Sequence, residues 1–285
     1  MSCDQDLFTA LPWPSAEANK YSRGKLVIVA GSARYPGAAA LAARAAQRMG
    51  AGYTEVIAAP ESVDTIRACF PSLVVRPWSE WKPSELPAFA EGKPCAVCIG
   101  PGFVPDDEFT AGLVVKVLRK AACPVLVDGG ALVHLATRKA LAALRERVSE
   151  GWATVITPHG GEAARLAESL SVPKGAADRL AAGLALATGA IVVLKGPDTH
   201  ISDGRRADVM TEGGPALAKA GTGDVLAGMV SALLAQGVPA YSAAHLGALL
   251  HARAGNMAAQ ALTDIAVTPE DVIEALPAVL KQFAR

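Results

Sequence analysis

Short apolar runs recur along the chain, and each is followed by a longer segment rich in Ala and Leu. Strands that are apolar at nearly every position are buried on both faces, as in a parallel sheet that helices cover on both sides. The pattern therefore predicts an α/β fold with a mainly parallel sheet. The predicted strands lie in KLVIVAG from Lys25, TEVIAAP from Thr54, CAVCIGPG from Cys95, PVLVDGG from Pro124, ATVITPHGG from Ala153 and AIVVLKGPDT from Ala190.

Two weaker patterns extend this sheet. LVV at 73–75 is interpreted as a further short strand, and residues 200–210 as a hairpin that turns at Asp203 and Gly204. The segment from Arg76 to Pro94 is rich in Pro, Glu and Trp, and we expect a surface excursion with one short helix there. At 285 residues, the whole pattern fits a single domain.

The overall charge is balanced, with 27 Lys and Arg residues against 27 Asp and Glu residues. No net field draws such a chain to nucleic acid or to an anionic membrane, and neither partner is expected. The N-terminus lacks the basic region of a signal peptide, and no apolar run reaches the roughly 18 residues that span a bilayer. A soluble, cytoplasmic protein is therefore expected.

The five cysteines are few for this length and odd in number, which does not indicate a disulfide framework. Cys95 and Cys98 form a C-x-x-C, but they lie in an apolar run and no second pair completes a zinc site. We interpret them as core residues in a reducing compartment. The other cysteines are Cys3, Cys69 and Cys123.

Nearly every predicted strand ends in Gly, Pro, Asp or His. In an open α/β sheet, ligands bind in the crevice beyond the carboxyl ends of the strands. Turn formation alone explains many such residues, but several loops that converge on one edge favour a site. No P-loop motif occurs, and GPGFVP does not match the dinucleotide fingerprint. The loops are Gly31, 100–102, 128–130, 159–161 and 195–198.

A Gly-Thr-Gly-Asp turn precedes the apolar segment VLAGMVSALLAQG, which predicts a helix that begins near Asp224 and stops at Gly237 and Pro239. Helix N-termini carry unpaired amides and partial positive charge, and flanking glycines let a phosphate approach closely. Gly221, Thr222 and Gly223 are therefore a candidate anion hole.

Asp224 has two interpretations. It is a first-turn residue that the helix dipole favours, or it is a base that takes a proton from a hydroxyl attacking a phosphoryl group. An all-apolar helix is buried, and a carboxylate at its buried end is costly without a partner or a task. The apolar helix therefore favours the base.

These motifs resemble the ADP-dependent NAD(P)H-hydrate dehydratases, a family with the ribokinase-like fold. The resemblance runs from about Lys25 to Ala259, and TPHGGE followed by LKGPDT and then GTGD is far more specific than GTGD alone. It implies a three-layer α/β/α fold and a hydro-lyase that repairs hydrated NADH or NADPH (NADHX, NADPHX). ADP would be the co-substrate and Mg²⁺ the cofactor. The motifs are KLVIVAGSARYPGAAALAARAAQRMGAGYTEV, IGPGF, PVLVDGGAL, TPHGGEAARL, VVLKGPDT and AGTGDVLAGMVSALLAQG.

The resemblance also implies roles for single residues. Ala38, Gly102 and His159 would contact the hydrated nicotinamide nucleotide, and Asp224 would contact its reactive hydroxyl. No side chain is implied as a metal ligand. The residues that would hold the adenine nucleotide are Lys195, Gly196, Pro197, Asp198, Thr199 and Gly223.

Other interpretations stay open for the titratable residues among these. His159 is also placed to cap a helix or to lie on the surface, and Lys195 is also a normal solvated lysine at a strand end. His245 and His251 are six residues apart on a predicted helix and do not share a face as a metal pair would. We interpret both as structural.

The chain departs from the family pattern in two places. Gly130 and Val133 stand where the family usually has a second Asp and an Asn, which puts contacts through those side chains in doubt. Ahead of GTGD, Gly214, Leu217 and the pair Lys219-Ala220 replace the usual residues, and Lys219 is a candidate second cation for the phosphates.

We divide the chain into an extension, 1–24, and a dehydratase domain, 25–285. The extension is too short to fold as the epimerase domain that is often fused to this family, so a separate epimerase is expected as a functional partner. The resemblance also implies a homo-oligomer, with a tetramer as the candidate state.

Two other functions remain open from the sequence. One is a kinase of the same fold that phosphorylates a small alcohol or vitamin precursor, which GTGD alone does not distinguish. The other is a nucleotide-sensing module without catalysis, which the missing Asp and Asn favour.

Overall fold

A computed structural model describes residues 7–284 of the protein. Cys3, which the sequence analysis named, lies outside the described residues. Within them the chain forms a nine-stranded sheet in which all the strands expected from the sequence are present. The strands are β1 (Lys25–Val29), β2 (Tyr53–Ala58), β3 (Val74–Pro77), β4 (Cys95–Ile99), β5 (Val125–Val127), β6 (Thr154–Ile156), β7 (Ile191–Leu194), β8 (Thr199–Ser202) and β9 (Ala207–Met210).

Helices alternate with the strands as the apolar pattern predicts. The helix after the Gly-Thr-Gly-Asp turn begins at Thr222, two residues before the predicted start. The α-helices of the described part are α1 (Pro36–Arg48), α2 (Val63–Cys69), α3 (Glu108–Lys120), α4 (Arg138–Ser149), α5 (Gly160–Ser169), α6 (Ala177–Thr188), α7 (Thr222–Ala235), α8 (Ala240–Leu262) and α9 (Pro269–Lys281). None of the helices in residues 7–284 has the length and apolar character needed to cross a membrane.

The sheet is mainly parallel, as expected. Its strand order is β3-β2-β1-β4-β5-β6-β7-β8-β9, and every pair from β3 to β7 is parallel. The hairpin β8-β9 adds two antiparallel strands at one edge. The chain reverses direction in the order at β1 and β4, where a ligand crevice opens in folds of this type.

Both faces of the sheet are covered. In β1, Leu26 and Ile28 pack toward α1, α7, α8 and α9, whereas Val27 and Val29 pack toward α3, α4, α5 and α6. Alternate residues of a strand point to opposite faces, so a strand that is buried on both sides is apolar throughout. This explains the continuous apolar runs and confirms the three-layer α/β/α architecture.

The C-x-x-C cysteines follow the same alternation. Cys98 lies in the core on the α7 side of the sheet, and Cys95 lies in the core on the α3 side. Thiols on opposite faces of one strand cannot share a metal ion or form a disulfide with each other.

The segment after β3 differs from the prediction. It contains two short 3₁₀ turns, Trp78–Glu80 and Pro83–Glu85, instead of one helix. Trp81 between them is buried in the core on the α3 side. The segment therefore contributes to the core as well as to the surface.

Helix α7 is the most deeply buried helix, since every residue from Val225 to Ala235 is buried. It packs closely on α1, whose buried face consists of alanines. A Cβ added at Gly228 would lie 2.1 Å from the carbonyl oxygen of Ala42. The small residues thus let the two helix backbones come into contact. This contact fixes the position of the N-terminus of α7 relative to the sheet.

We expect Gly228→Ala to destabilise the protein by about 1–3 kcal/mol, because the added methyl group must push α1 and α7 apart. Gly112→Ala in α3 is the matched control, since nothing lies within 4 Å of its added Cβ. That change should stabilise by up to about 1 kcal/mol through helix propensity. Urea unfolding of both variants measures the difference, and equal stabilities would contradict the close packing of α1 on α7.

Candidate active site

A cavity of about 860 Å³ opens beyond the carboxyl ends of β6 and β7, beside the N-terminus of α7. Its walls come from the turn after β7, the segment between β9 and α7, and one face of α8. The residues that line it include His159, Lys195, Gly196, Pro197, Thr199, Met210, Leu217, Gly221, Thr222, Gly223, Leu226, Ala248 and His251. The volume is that of a nucleotide-sized pocket.

The backbone of the Gly-Thr-Gly-Asp turn is fixed by contacts with neighbouring residues. Gly221 has φ +99°, and an added Cβ there would lie 2.8 Å from Pro269 and 2.9 Å from Leu41. The Thr222 hydroxyl lies 2.7 Å from the carbonyl oxygen of Leu217 and 2.8 Å from that of Lys219, and its single proton is donated to this pair of acceptors. The hydroxyl of Thr222 therefore fixes the turn.

The amides of this turn are not equivalent. The Thr222 N–H donates to the Lys219 carbonyl at 3.3 Å, so it is already used within the turn. The N–H groups of Gly223 and Asp224 donate to no acceptor within residues 7–284. These two amides, at the positive end of α7, are free to bind an anion. The Gly221 N–H also donates to no acceptor in the described residues, so of the three amides predicted as the anion hole only that of Thr222 is already used.

Lys195 supplies a positive charge at the same place. Its Nζ lies 2.9 Å from Asp128 Oδ1 and 3.3 Å from the position that a Cβ of Gly223 would occupy. A glycine at 223 therefore leaves room for the ammonium. Burial opposes its charge, but Asp128 and Glu162 outweigh burial and raise the pKa of Lys195. The side chain stays protonated at neutral pH.

Asp224 lies in the first turn of α7 and is half-buried. Burial raises its pKa to about 7, the negative charges of Asp128 and Glu162 act in the same direction, and Lys195 partly offsets them. A carboxyl group whose pKa lies near the working pH is an effective proton acceptor. The electrostatics therefore favour the base over a simple first-turn residue.

His159 caps helix α5, which is one of the alternatives that the sequence left open. Its Nδ1 accepts from the Gly161 N–H at 3.0 Å, and Glu162 accepts from the His159 N–H at 2.8 Å. Since Nδ1 is an acceptor, the neutral ring carries its proton on Nε2. The ring is 56% exposed and lines the cavity, and its Nε2 lies 3.5 Å from Glu162 Oε1.

Glu162 was not singled out from the sequence. Its signal was its position three residues after His159, where an acidic residue closes a capping box. Burial raises the pKa of Glu162, and its carboxylate faces Lys195, Asp128 and His159. It therefore belongs to the charged cluster around Lys195.

The residues expected to hold the adenine nucleotide lie together, with one exception. Lys195, Gly196, Pro197, Thr199 and Gly223 all line the cavity, whereas Asp198 is exposed on the same turn and is not part of the lining.

Ala38, in the first turn of α1, and Gly102, just after β4, also lie together, outside the cavity lining. A Cβ at Gly102 would be 2.9 Å from Ala38 Cβ, so only glycine allows this contact. Ala38 lies one turn before Leu41, whose side chain approaches Gly221. The turn at 221–224 thus lines the cavity and also contacts, through Leu41, the helix that carries Ala38.

Two further side chains of the cavity wall have defined partners. Lys219 Nζ donates to the Ile265 carbonyl at 2.7 Å, which ties the turn to the loop before α9. This bond uses one of the three N–H donors of the ammonium, and the role of Lys219 as a second cation for the phosphates stays a prediction. Glu212 forms a two-point ion pair with Arg253 at 2.7 and 2.8 Å.

His245 and His251 lie apart on α8, as expected. His251 is buried in the cavity wall, where burial lowers its pKa to about 4 and keeps the ring neutral. His245 Nδ1 lies 3.5 Å from Asp208 Oδ2. In the part of the chain that the structure describes, no group of three or more His, Cys, Asp or Glu side chains is arranged to hold a metal ion.

Comparisons with known proteins agree with this arrangement. A family model described as NAD(P)H-hydrate dehydratase matches residues 26–278. The ADP-dependent (S)-NAD(P)H-hydrate dehydratase of Xanthomonas campestris pv. campestris is 32% identical over 287 residues, which cover 97% of this chain and 94% of that protein.

Solved structures show the same fold. The ADP/ATP-dependent NAD(P)H-hydrate dehydratase from Bacillus subtilis, co-crystallized with ATP and Mg²⁺, superposes with a TM-score of 0.82 at 27% identity and covers 99% of this chain and 97% of its own. A ribokinase-like superfamily protein from Enterococcus faecalis V583 superposes with a TM-score of 0.78 at 24% identity, covering 97% and 95%. The chain has the ribokinase-like fold and belongs to the NAD(P)H-hydrate dehydratase family.

Proposed function

We propose that the protein restores NADH and NADPH from their hydrates, with ADP as the phosphoryl donor and AMP and phosphate as products. The observation that carries this proposal is the Asp224 carboxyl group. It follows the free amide of Gly223 at the N-terminus of α7, with its own amide free and the Lys195 charge nearby, and its pKa of about 7 makes it a proton acceptor. The two flanks of the turn support two ligands that meet there.

ADP occupies the cavity in this proposal. Its terminal phosphoryl group lies against the Gly223 and Asp224 amides and the Lys195 ammonium, where fixed positive charge stabilises the transferring group. The apolar part of the wall, formed by Leu217, Leu226 and Ala248, is suited to a purine base.

The hydrated nicotinamide nucleotide approaches from the side of Ala38 and Gly102. Asp224 takes the proton of the ring hydroxyl, and the hydroxyl oxygen forms a bond to the terminal phosphorus as the bond to AMP breaks. His159 lines the cavity, so in this proposal it contacts the hydrated nucleotide where that ligand meets ADP.

Loss of phosphate completes the reaction. The carbon–oxygen bond breaks with its electron pair on phosphate, the ring nitrogen supplies electrons to the carbon, and the adjacent carbon releases a proton to restore the double bond. The sum is removal of water from the hydrate and its addition to ADP, which gives AMP and phosphate.

Mg²⁺ is proposed to enter with ADP. It binds mainly through phosphate oxygens and water, with few protein ligands, so the lack of a preformed metal site within residues 7–284 fits an ion of this kind. When bound, Mg²⁺ neutralises phosphate charge during transfer.

The cellular setting is proposed on broader grounds. Balanced charge and free cysteines at 69, 95, 98 and 123 support a reducing cytoplasm. A homo-oligomer and a separate epimerase are proposed from family membership alone. A small-alcohol kinase remains the second candidate, because the same base and anion hole would serve it.

Incubation with hydrated NADH, Mg²⁺ and ADP should restore the absorbance of dihydronicotinamide, and Asp224→Asn should slow turnover by at least about a thousandfold while ADP still binds. A parallel reaction with ATP measures the nucleotide preference. A stable phosphoester product in place of free phosphate would indicate the kinase, and ADP binding without turnover of any alcohol would indicate a sensor.

The pH dependence of kcat/KM tests the base. With a pKa of about 7, Asp224 must lose its proton before it can act, so kcat/KM should fall about tenfold per pH unit below pH 7. ADP binding followed over the same range controls for protonation of the phosphates. A rate that stays level down to pH 5 would show that another group, or none, accepts the proton.

Asp224 should also cost stability. Its folded pKa of about 7 lies above the ordinary aspartate value of 3.8, so the folded state holds this proton more tightly and the free energy of unfolding falls as pH rises from about 4 to 7. Asp224→Asn should therefore raise Tm at pH 8, by an amount that shrinks toward pH 4. Asp64→Asn, at a 98% exposed side chain, is the control that should show no such trend. A Tm gain independent of pH would contradict the assignment.

A further inference from the structure

Asp128 ends strand β5 with a buried carboxylate that the proposed reaction does not use directly. Its Oδ1 accepts from the Thr157 hydroxyl at 2.6 Å and from Lys195 Nζ at 2.9 Å. A buried carboxylate with a cation and a hydroxyl on one oxygen is well compensated. Its position is therefore defined by two side chains, Thr157 after β6 and Lys195 after β7.

The backbone around Asp128 is fixed as well. The Asp128 N–H donates to the Ile99 carbonyl at 3.0 Å, and a Cβ at Gly100 would lie 2.0 Å from the Asp128 carbonyl oxygen. A Cβ at Gly130 would lie 2.2 Å from the Phe103 carbonyl oxygen. The loops after β4 and β5 thus touch through glycines, and a larger residue at 130 would separate them.

Lys195 faces more than one carboxylate. Asp128, Glu162 and Asp224 all act on its charge, yet only Asp128 is hydrogen-bonded to it. The ammonium could otherwise turn toward Glu162 or Asp224 and neutralise the base. Because Asp128 binds it, the ammonium stays beside Gly223.

We propose that Asp128 is a positioning residue that holds the Lys195 ammonium beside the Gly223 end of α7, where the transferred phosphoryl group of the proposed reaction binds. This role rests on the proposed function, and it extends to Thr157, whose hydroxyl holds the carboxylate in turn. It also gives Asp128 an electrostatic effect on the base across the site.

The charged groups that face Asp224 are Asp128, Glu162 and Lys195, and His159 faces Glu162 from α5. After burial, the charge of Asp128 is the largest cause that raises the pKa of Asp224. Removing that charge should lower the pKa of Asp224, whereas a merely structural defect would leave it in place. The pH profile therefore separates the two explanations.

Asp128→Asn is the main test. We expect kcat to fall at least about tenfold, the acid limb of the pH profile to move down by about one pH unit, and ADP still to bind, with a Kd raised by no more than about tenfold. Asp128→Glu keeps the charge but moves the oxygen, so kcat should fall with the acid limb unmoved. Asp64→Asn on the exposed face of α2 should change none of these.

An unmoved acid limb in Asp128→Asn, or loss of ADP binding, would overturn the role of Asp128. If Asp128→Asn does not fold, Thr157→Val removes the hydroxyl and leaves the carboxylate, and it should lower kcat with the limb moved by less than about half a unit. Unchanged kcat in Thr157→Val would also overturn it.

ADP binding keeps this test separate from the proposed function. If wild-type protein binds ADP but restores no NADH, the proposed function fails while the contact can still be tested. The effects of Asp128→Asn and Lys195→Gln on the Kd for ADP should then combine non-additively, by a factor of at least about three. Additive effects would show that Asp128 does not set the position of Lys195.

Discussion

The burial of helix α7 is the constraint on which the rest of the site depends. Glycine and alanine at the contact with α1 let α7 lie directly against that helix. The first turn of α7 is therefore located inside the protein, at the edge of the sheet. The same burial that adds apolar contacts raises the pKa of Asp224 to about 7. Burial of α7 therefore both stabilises the fold through apolar contacts along the helix and raises the proton affinity of Asp224 at its N-terminus.

Negative groups outnumber positive side chains at this edge of the sheet, where Asp128, Glu162 and Asp224 surround Lys195. The excess of negative charge raises the proton affinity of the base. It also favours binding of the Mg²⁺ ion that is proposed to enter with ADP. The ammonium and the free amides of α7 form the positive side, on which phosphate binds. Burial in a low-dielectric site makes both effects stronger than they would be in water.

Much of the fold could be predicted from the sequence, because strands buried on both faces are apolar throughout and end in recognisable turns. The cavity residues Lys195, Gly196, Pro197 and Thr199 and the turn at 221–224 were predicted from the family motifs. The contact of Lys195 with Asp128, 67 residues away, could not, since no local pattern records which strand ends are neighbours. The inward hydroxyl of Thr222 and the 3₁₀ turns at 78–85 also depend on tertiary packing.

The central claim is that phosphoryl transfer to the ring hydroxyl precedes its loss, and an isotope measurement tests it most directly. Hydrated NADH labelled with ¹⁸O in the ring hydroxyl would be converted with unlabelled ADP, and the products analysed by mass spectrometry. The account predicts that the label appears in inorganic phosphate. Label found in water, with none in phosphate, would contradict it.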